Sequence, residues 1–349
     1  MPDLEELRKN IRSLDSELIT ILKERLETAK SIGRIKAEKG LPVKNYDVEK
    51  NVLEKTERNA KHAGISPQLA KTIMQEIIEE SVALQEKDRR GKADKPLSAL
   101  LVGGEGHMGR WLADFLESQG NVVETVDKHG DPTYTSLPSQ SYDIVFICTP
   151  LETVHEVLIT VAETYPTSII CDIASLKSHF KDTIKELRDD VKLTSVHPLF
   201  GPSVKTLSDR TVLLCSLGNK EADAKIQEIF GSTAVSLTTV AFEEHDAYMA
   251  YTLTLPHALN LVFADILKNS EVPLQKQRLF GTTTFEKQLS TSEDVVSENP
   301  QLYREIQAEN PHRSSIYTKL RNSVRRLESI IESEKEFEEY MKEMKKYYA

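Results

Sequence analysis

The stretch that most restricts how this chain folds begins with a short apolar run at 97–102. Gly103-Gly104-Glu105-Gly106-His107-Met108-Gly109 follows, then a helical pattern over 110–119, a second apolar run over 121–126, and an acid, Asp127. A glycine triplet alone is a weak signal. In the order strand, tight turn, helix, strand, acid it becomes a strong sign of a dinucleotide-binding βαβ unit of the Rossmann type, with a glycine-rich turn in an α/β protein that holds no ligand as the alternative. Gly104 permits the turn, Gly106 lets a pyrophosphate approach the backbone, and Gly109 lets helix and strand pack. The start of the helix supplies amides to phosphates, which makes His107 and Met108 cofactor-binding candidates. Asp127 accepts from ribose hydroxyls and repels a 2′-phosphate, which favours NAD; Lys128 and His129 beside it leave NADP as the lesser alternative.

The βα alternation continues with strands expected at 142–148, 168–173 and 193–196. They end in Thr149-Pro150, in Ala174-Ser175-Leu176-Lys177 and at His197. Ligands bind outside the carboxyl ends of the strands of an open parallel sheet, so Thr149, Pro150, Ser175 and His197 are site candidates. On spacing alone His197 fits a strand-capping residue before a proline turn as well as a catalytic one. A strand at 211–216, a helix at 221–230 and a strand at 234–237 extend the domain.

Upstream, Leu4, Leu7, Ile11, Leu14, Leu18 and Ile21 form one stripe of a long helix, which continues through Arg25, Thr28, Ile32 and Ile35. Arg25 therefore falls in an apolar seam. Lys36, eleven residues on, shares its face, whereas Arg8 is rotated by about 100° and cannot readily serve the same pocket from the same chain. Gly40-Leu41-Pro42 breaks the helix, a second over about 46–61 carries Glu49, and Ser66-Pro67 starts a third that runs to about 87. On the third, Ile73 and Ile77 lead to Ser81 and Gln85, polar groups on an inward face. Snorkelling of Arg25 and tolerated polar residues at a bundle end fit the same pattern.

The runs around Arg8, Lys23-Glu24-Arg25-Leu26, Gly33-Arg34-Ile35-Lys36, Pro42-Val43 and Glu80-Ser81-Val82-Ala83-Leu84-Gln85 resemble the all-helical chorismate mutase family over about residues 3–88. The resemblance implies two interlocked chains, with Arg8 supplied by the partner and Arg25 in the chain, both clamping the carboxylates of chorismate. It implies that Lys36 and Gln85 donate to the ether oxygen, that Glu49 holds the ring hydroxyl, and that Ser81 and residue 45 line the substrate. Two positions depart from the family: Asn45 stands for its usual Asp, and Val48 for a frequent Arg.

Residues 88–96 are charged, carry Gly and Pro and lack apolar periodicity, so a linker is expected, with its centre at 91–96. Beyond 242, helices are expected near 280–289, 302–307, 315–331 and 335–347. Leu253, His257, Leu261 and Ala264 share a helical face that Pro256 kinks. The runs Gly103 to Gly109, Cys148-Thr149-Pro150, Asp172-Ile173-Ala174-Ser175-Leu176-Lys177, His197-Pro198-Leu199-Phe200-Gly201-Pro202 and Glu244-His245-Asp246 together resemble prephenate dehydrogenase. By that resemblance His197 takes the proton of the ring hydroxyl, Ser175 orients it and His257 binds substrate. A family Arg that grips a carboxylate is replaced by Asp294, with Lys287 the nearest substitute, and the acid leaves arogenate open as a substrate. The two resemblances stand in the order of bifunctional chorismate mutase/prephenate dehydrogenases of the T-protein type.

The expected fold is multidomain α and α/β. It comprises an all-helical mutase module (1–90), a linker (91–96), a Rossmann-type doubly wound parallel sheet domain binding NAD (97–242) and an all-helical dimerisation and substrate domain (243–349). The 349 residues carry a formal net charge of −10, which argues against nucleic acid or an anionic membrane as partner, and no apolar run suits a membrane span. No metal site is expected. Three cysteines in apolar runs read as free thiols, and the expected setting is a cytoplasmic homodimer acting on chorismate and prephenate. Two other readings stay open: a helical module that only dimerises, and a Rossmann enzyme that oxidises another hydroxy acid without decarboxylation.

Overall fold

The computed structural model describes residues 3–348 except 40, 42, 90–94, 129–133, 135, 136, 188, 205, 206 and 232. Gly40, Pro42, His129 and most of the expected linker lie outside the described residues. The chain divides into two compact units: Met1–Thr149 with Thr153–Ala174 and Glu186–Val240, and Pro150–Glu152 with Ser175–Lys185 and Ala241–Ala349.

The first unit opens with three helices, α1 (Leu4–Glu38), α2 (Tyr46–His62) and α3 (Pro67–Arg89). At 35 residues, α1 is about 50 Å long. The Asn45 side chain accepts from Val48 N at 3.1 Å and caps α2, and Ser66 Oγ accepts from Leu69 N at 3.4 Å at the start of α3. α3 packs on both α1 and α2. A methyl on Gly33 of α1 would meet Gln85 Cγ at 2.6 Å, so the glycine is what lets Gln85 lie against α1. The first half of the α1 stripe finds no cover in its own chain, and Leu4, Leu7, Ile11, Leu14, Leu18 and Ile21 are 45–62 % exposed.

The sheet follows: β1 (Ser98–Val102), α4 (His107–Ser118), β2 (Val122–Val126), β3 (Ile144–Ile147), α5 (Val154–Thr164), β4 (Ile169–Asp172), α6 (Lys181–Glu186), β5 (Lys192–Pro198), β6 (Thr211–Ser216), α7 (Lys220–Gly231) and β7 (Ser236–Ala241). The strand order is β2-β1-β3-β4-β5-β6-β7. β1 pairs in parallel with both β2 and β3, which makes the crevice between β1 and β3 the switch point of the sheet. Leu100, Leu101, Ile144, Val145, Phe146 and Ile170 are fully buried, each stabilising the fold by roughly 1.5–3 kcal/mol through burial.

The structure corrects several expectations. α4 begins at His107, three residues before the expected start, because Gly106 (φ −64°, ψ 162°) already takes the N-cap position. His197 lies inside β5 rather than after it. The sheet is not wholly parallel, since β6 runs antiparallel to β5, pairing Leu213 with His197. Among its described residues the connection over 199–210 carries no helix of the kind that usually joins parallel neighbours. The last strand is β7, displaced from the expected 234–237. The two compact units divide the chain along other lines: the first three helices group with the sheet, and 175–185 groups with the C-terminal helices.

The second unit holds α8 (His245–Met249), a π-helical turn (Ala250–Thr254), α9 (Leu255–Lys268), α10 (Leu274–Leu279), α11 (Thr283–Ser297), α12 (Pro300–Glu309), α13 (Arg313–Ile330) and α14 (Glu334–Tyr347). The kink expected at Pro256 takes the form of the π turn. Proline has no N–H for the preceding turn, and the widened ladder absorbs that loss. α9 packs on α11 through Asn260, which accepts from Gln288 at 2.8 Å and, by its carbonyl, from Ser292 at 3.0 Å. Among the described residues no helix is long and apolar enough to cross a membrane.

Candidate active sites

Within the first three helices the predicted groups on α1 and α3 meet. Arg25 donates through Nη1 to Ser81 Oγ at 2.9 Å and to the Ile77 carbonyl at 3.5 Å, and Nη2 lies 3.7 Å from Met74 Sδ. Ser81 Oγ itself donates to Ile77 O at 2.6 Å, so Ser81 holds the guanidinium rather than merely lining the pocket. Lys36 donates to the Val43 carbonyl, tying the end of α1 to the loop before α2. Gln85 is buried and its Oε1 has no partner. Arg8 faces outwards, 61 % exposed and 3.6 Å from Glu5. It lies 17 residues from Arg25 on one straight helix, roughly 25 Å away, so one chain cannot bring both to one substrate.

Glu49 on α2 is half-buried. Burial pushes its carboxyl up; Lys44 opposes this, Asp209 adds to it, and Lys36 opposes it in turn. Asn45 Oδ1 is already engaged as the α2 cap, which leaves only its amide for a ligand. Val48 is exposed. Lys44 went unnoticed in the sequence, where it stands in a loop without periodicity.

The glycine turn has the geometry a dinucleotide needs. Gly103 adopts φ +87°, and a methyl there would lie 2.8 Å from the Cys148 carbonyl carbon. A methyl on Gly109 would lie 2.3 Å from Gly103 O, so only glycine lets α4 come this close to the turn. Gly104 packs equally tightly on Thr125, whereas Gly106 is the less crowded position. The first amides of α4, those of His107, Met108 and Gly109, have no acceptor within the helix and point their dipole at the turn. Asp127, at the end of β2, accepts from Glu105 N at 3.1 Å and Lys128 N at 2.8 Å, which sets its carboxylate beside the turn with lone pairs to spare. Tyr134, missed in the sequence, is buried beside it, its hydroxyl pushed up to about 12 by burial and then by Asp127. Thr149, beyond β3, is buried with Oγ1 unpartnered. These features fit NAD.

His197 lies on β5 next to β4, with Asp172 opposite Ser195, and is 4 % exposed. Ser175 belongs to the second unit, three residues beyond Asp172, and Pro150 belongs there too. In that unit Asp246 accepts from Lys177 N at 2.9 Å, from Ser178 N at 2.8 Å, from Ser178 Oγ, and from the buried His245, whose Nδ1 is 2.7 Å away. Burial alone would raise this carboxyl; the bonds outweigh it and hold it well below the usual range. Asp246 thereby fixes the segment that carries Ser175. Replacing it with Asn is expected to cost about 2–3 kcal/mol of stability at neutral pH. Because the folded-state pKa is depressed, that contribution is present above the ordinary carboxylate range, about pH 4, and fades as pH falls below it. Unfolding of both proteins in urea at pH 7 and pH 3 measures the difference; an equal gap at the two pH values would contradict the assignment.

His257 on α9 stacks on Tyr303 of α12 with ring centroids 4.3 Å apart. Burial lowers its pKa, which keeps the imidazole neutral, and its buried Nδ1 has no partner. Lys287 is exposed on α11, as is Asp294.

Three family descriptions match in succession: "Chorismate mutase type II" over residues 7–86, "Prephenate dehydrogenase, nucleotide-binding domain" over 117–238, and "Prephenate dehydrogenase, dimerization domain" over 241–346. The second begins beyond the glycine turn, so that assignment rests on the geometry above. The T-protein of Enterobacter agglomerans is 27 % identical over 306 residues, 87 % of this chain and 81 % of its own length. That of Haemophilus influenzae is 25 % identical over 313 residues, 88 % and 81 % of the two chains. In fold, the crystal structure of prephenate dehydrogenase from A. aeolicus in complex with hydroxyphenyl propionate and NAD+ aligns with TM-score 0.58 at 18 % identity, covering 73 % of this chain and 99 % of that one. With a mutase module preceding a nucleotide-binding and a dimerisation domain, the chain belongs to the bifunctional chorismate mutase/prephenate dehydrogenase family.

Proposed function

We propose that two separate sets of side chains act on successive forms of one small dianion in tyrosine biosynthesis. The mutase helices rearrange chorismate to prephenate, and the dehydrogenase oxidises and decarboxylates prephenate to 4-hydroxyphenylpyruvate with NAD. The observation that carries the first half is Arg25 locked to Ser81 at 2.9 Å across the facing sides of α1 and α3. A Claisen rearrangement needs no nucleophile and no proton transfer. It needs the substrate held in its compact conformer and donors at the oxygen that gains charge. Arg25 clamps a carboxylate, Lys36 and Gln85 face the ether oxygen, Glu49 accepts the ring hydroxyl, and the partner subunit's Arg8 closes the site.

In the second reaction Gly104, Gly106, Gly109, the α4 amides, Asp127, Thr149 and Pro150 hold NAD, which accepts the hydride when bound. His197 takes the proton from the ring hydroxyl as the C–H bond on that carbon breaks. The C–C bond to the ring carboxylate then breaks, its electron pair enters the ring, carbon dioxide leaves and the ring becomes aromatic. Ser175 orients the hydroxyl, and neutral His257 binds the substrate. Because a protonated imidazole cannot accept, the dehydrogenase rate falls on acidification. Lys287 is the cation assigned to the remaining carboxylate. The three free thiols suit a reducing compartment, the cytoplasm.

The uncovered α1 stripe supports a dimer joined along this helix, which would place Arg8 of one chain beside Arg25 of the other. Mixing and refolding Arg8→Ala with Arg25→Ala chains tests this. Each variant alone is expected to lack mutase activity. Half the mixed dimers carry one intact site of two, so about a quarter of wild-type activity returns. No recovery in dimers shown to have exchanged would place both arginines in one chain's site and reject the arrangement.

A further inference from the structure

The loop before α2 carries a lysine that no part of the mechanism above uses. The Lys44 side chain is 7 % exposed, although it belongs to a loop. Its ammonium pairs with Asp209, lies 3.3 Å from Ser208 Oγ and 4.8 Å above the Tyr46 ring, and stands 3.7 Å from Glu49 Oε2. Asp209 and Ser208 are not mutase residues. They lie in the 199–210 connection that leads from His197 to β6, in the nucleotide-binding domain. The nucleotide-binding domain is fixed to the mutase helices twice more. Leu207 N donates to the buried Glu86 carboxylate of α3 at 3.1 Å, and Val43 and Val82 pack with Ala234, ahead of β7.

From this geometry we propose that Asp209 of the nucleotide-binding domain is a positioning residue of the mutase. It holds Lys44 so that the ammonium supports the Glu49 carboxylate without occupying it, leaving that carboxylate to accept the ring hydroxyl. The separation of 3.7 Å is that of an ion pair too long for a hydrogen bond. Freed from Asp209, the flexible lysine would close on Glu49 and compete with the substrate. The dehydrogenase domain thus completes a wall of the mutase pocket, and the missing Arg at Val48 is offset by a cation held from outside the module. The inference rests on Glu49 serving the mutase as proposed above.

The backbone dictates the variant. Asp209 adopts φ +58°, where Asn is tolerated and Ala is strained, and Gly removes the side chain at no steric cost. In the full chain, Asp209→Asn and Asp209→Gly are each expected to lower mutase kcat/KM about tenfold, with NADH formation from prephenate within about twofold of wild type. Lys44→Gln should show a comparable loss, and adding Asp209→Asn to it should cost little more, because Asp209 acts through Lys44.

The acid limb of the mutase profile gives a readout that a structural role would not move. The charged groups facing Glu49 are Lys44, Asp209 and Lys36. Removing the Asp209 charge moves the limb to lower pH, and removing Lys44 moves it to higher pH. Unchanged mutase activity in both Asp209 variants, additive losses in the double variant, or an equal fall in both activities with a lowered Tm would overturn the proposal. Glu49→Gln is the control: if it leaves the mutase intact, the role of Glu49 is wrong, whereas if it abolishes the mutase while Asp209→Asn does nothing, only the positioning claim fails.

Discussion

His197→Asn is expected to lower NADH formation from prephenate by about 10³-fold while chorismate consumption stays at the wild-type rate. Asparagine nearly fills the volume and can hydrogen-bond, but it takes no proton at neutral pH. The proton acceptor is therefore removed while β5 and its pairing with Leu213 are left in place. The loss should fall in kcat more than in KM, because the proton moves only as hydride leaves. NADH absorbance with prephenate and NAD, beside chorismate disappearance in the same preparation, makes the measurement. A parallel loss of both activities would mean that the variant disturbs the fold rather than the chemistry.

Arg25→Ala should do the reverse, lowering mutase turnover by about 10²–10³-fold with dehydrogenase activity preserved. The guanidinium is the fixed cation of the mutase layer, held by Ser81 and by the Ile77 carbonyl. Its loss leaves the compact substrate conformer without its clamp and the Ser81 hydroxyl without its donor. Arg25→Lys should recover little, since an ammonium on a flexible stem cannot reproduce two bonds in a fixed fork. Wild-type mutase rates in Arg25→Ala would favour the reading in which the helical module only dimerises.

Where periodicity governs structure, the sequence was readable. The α1 stripe, the Ser66-Pro67 start of α3 and the strand–turn–helix around Gly104, Gly106 and Gly109 all appear as expected, because spacing and glycine sterics leave few alternatives. The seam position of Arg25 identified it before any partner was known, and Ser81, found on the same reasoning, proved to be that partner. What escaped depends on contacts distant in sequence. Lys44 stands in a loop with no pattern, and its partner Asp209 is 165 residues away. The antiparallel direction of β6 depends on how the 199–210 connection turns back along β5, a feature that alternation of apolar runs does not reveal. Asn45, a substrate contact by the resemblance, also serves a local purpose, its oxygen capping α2 three residues on.

The account stands or falls on one chain carrying out both steps in order. The direct measurement is to supply the protein with chorismate and NAD alone and to quantify the products. One NADH and one carbon dioxide should appear for each chorismate consumed, with 4-hydroxyphenylpyruvate as the organic product. Chorismate left untouched, or NADH formed while the ring carboxylate is retained, would contradict it.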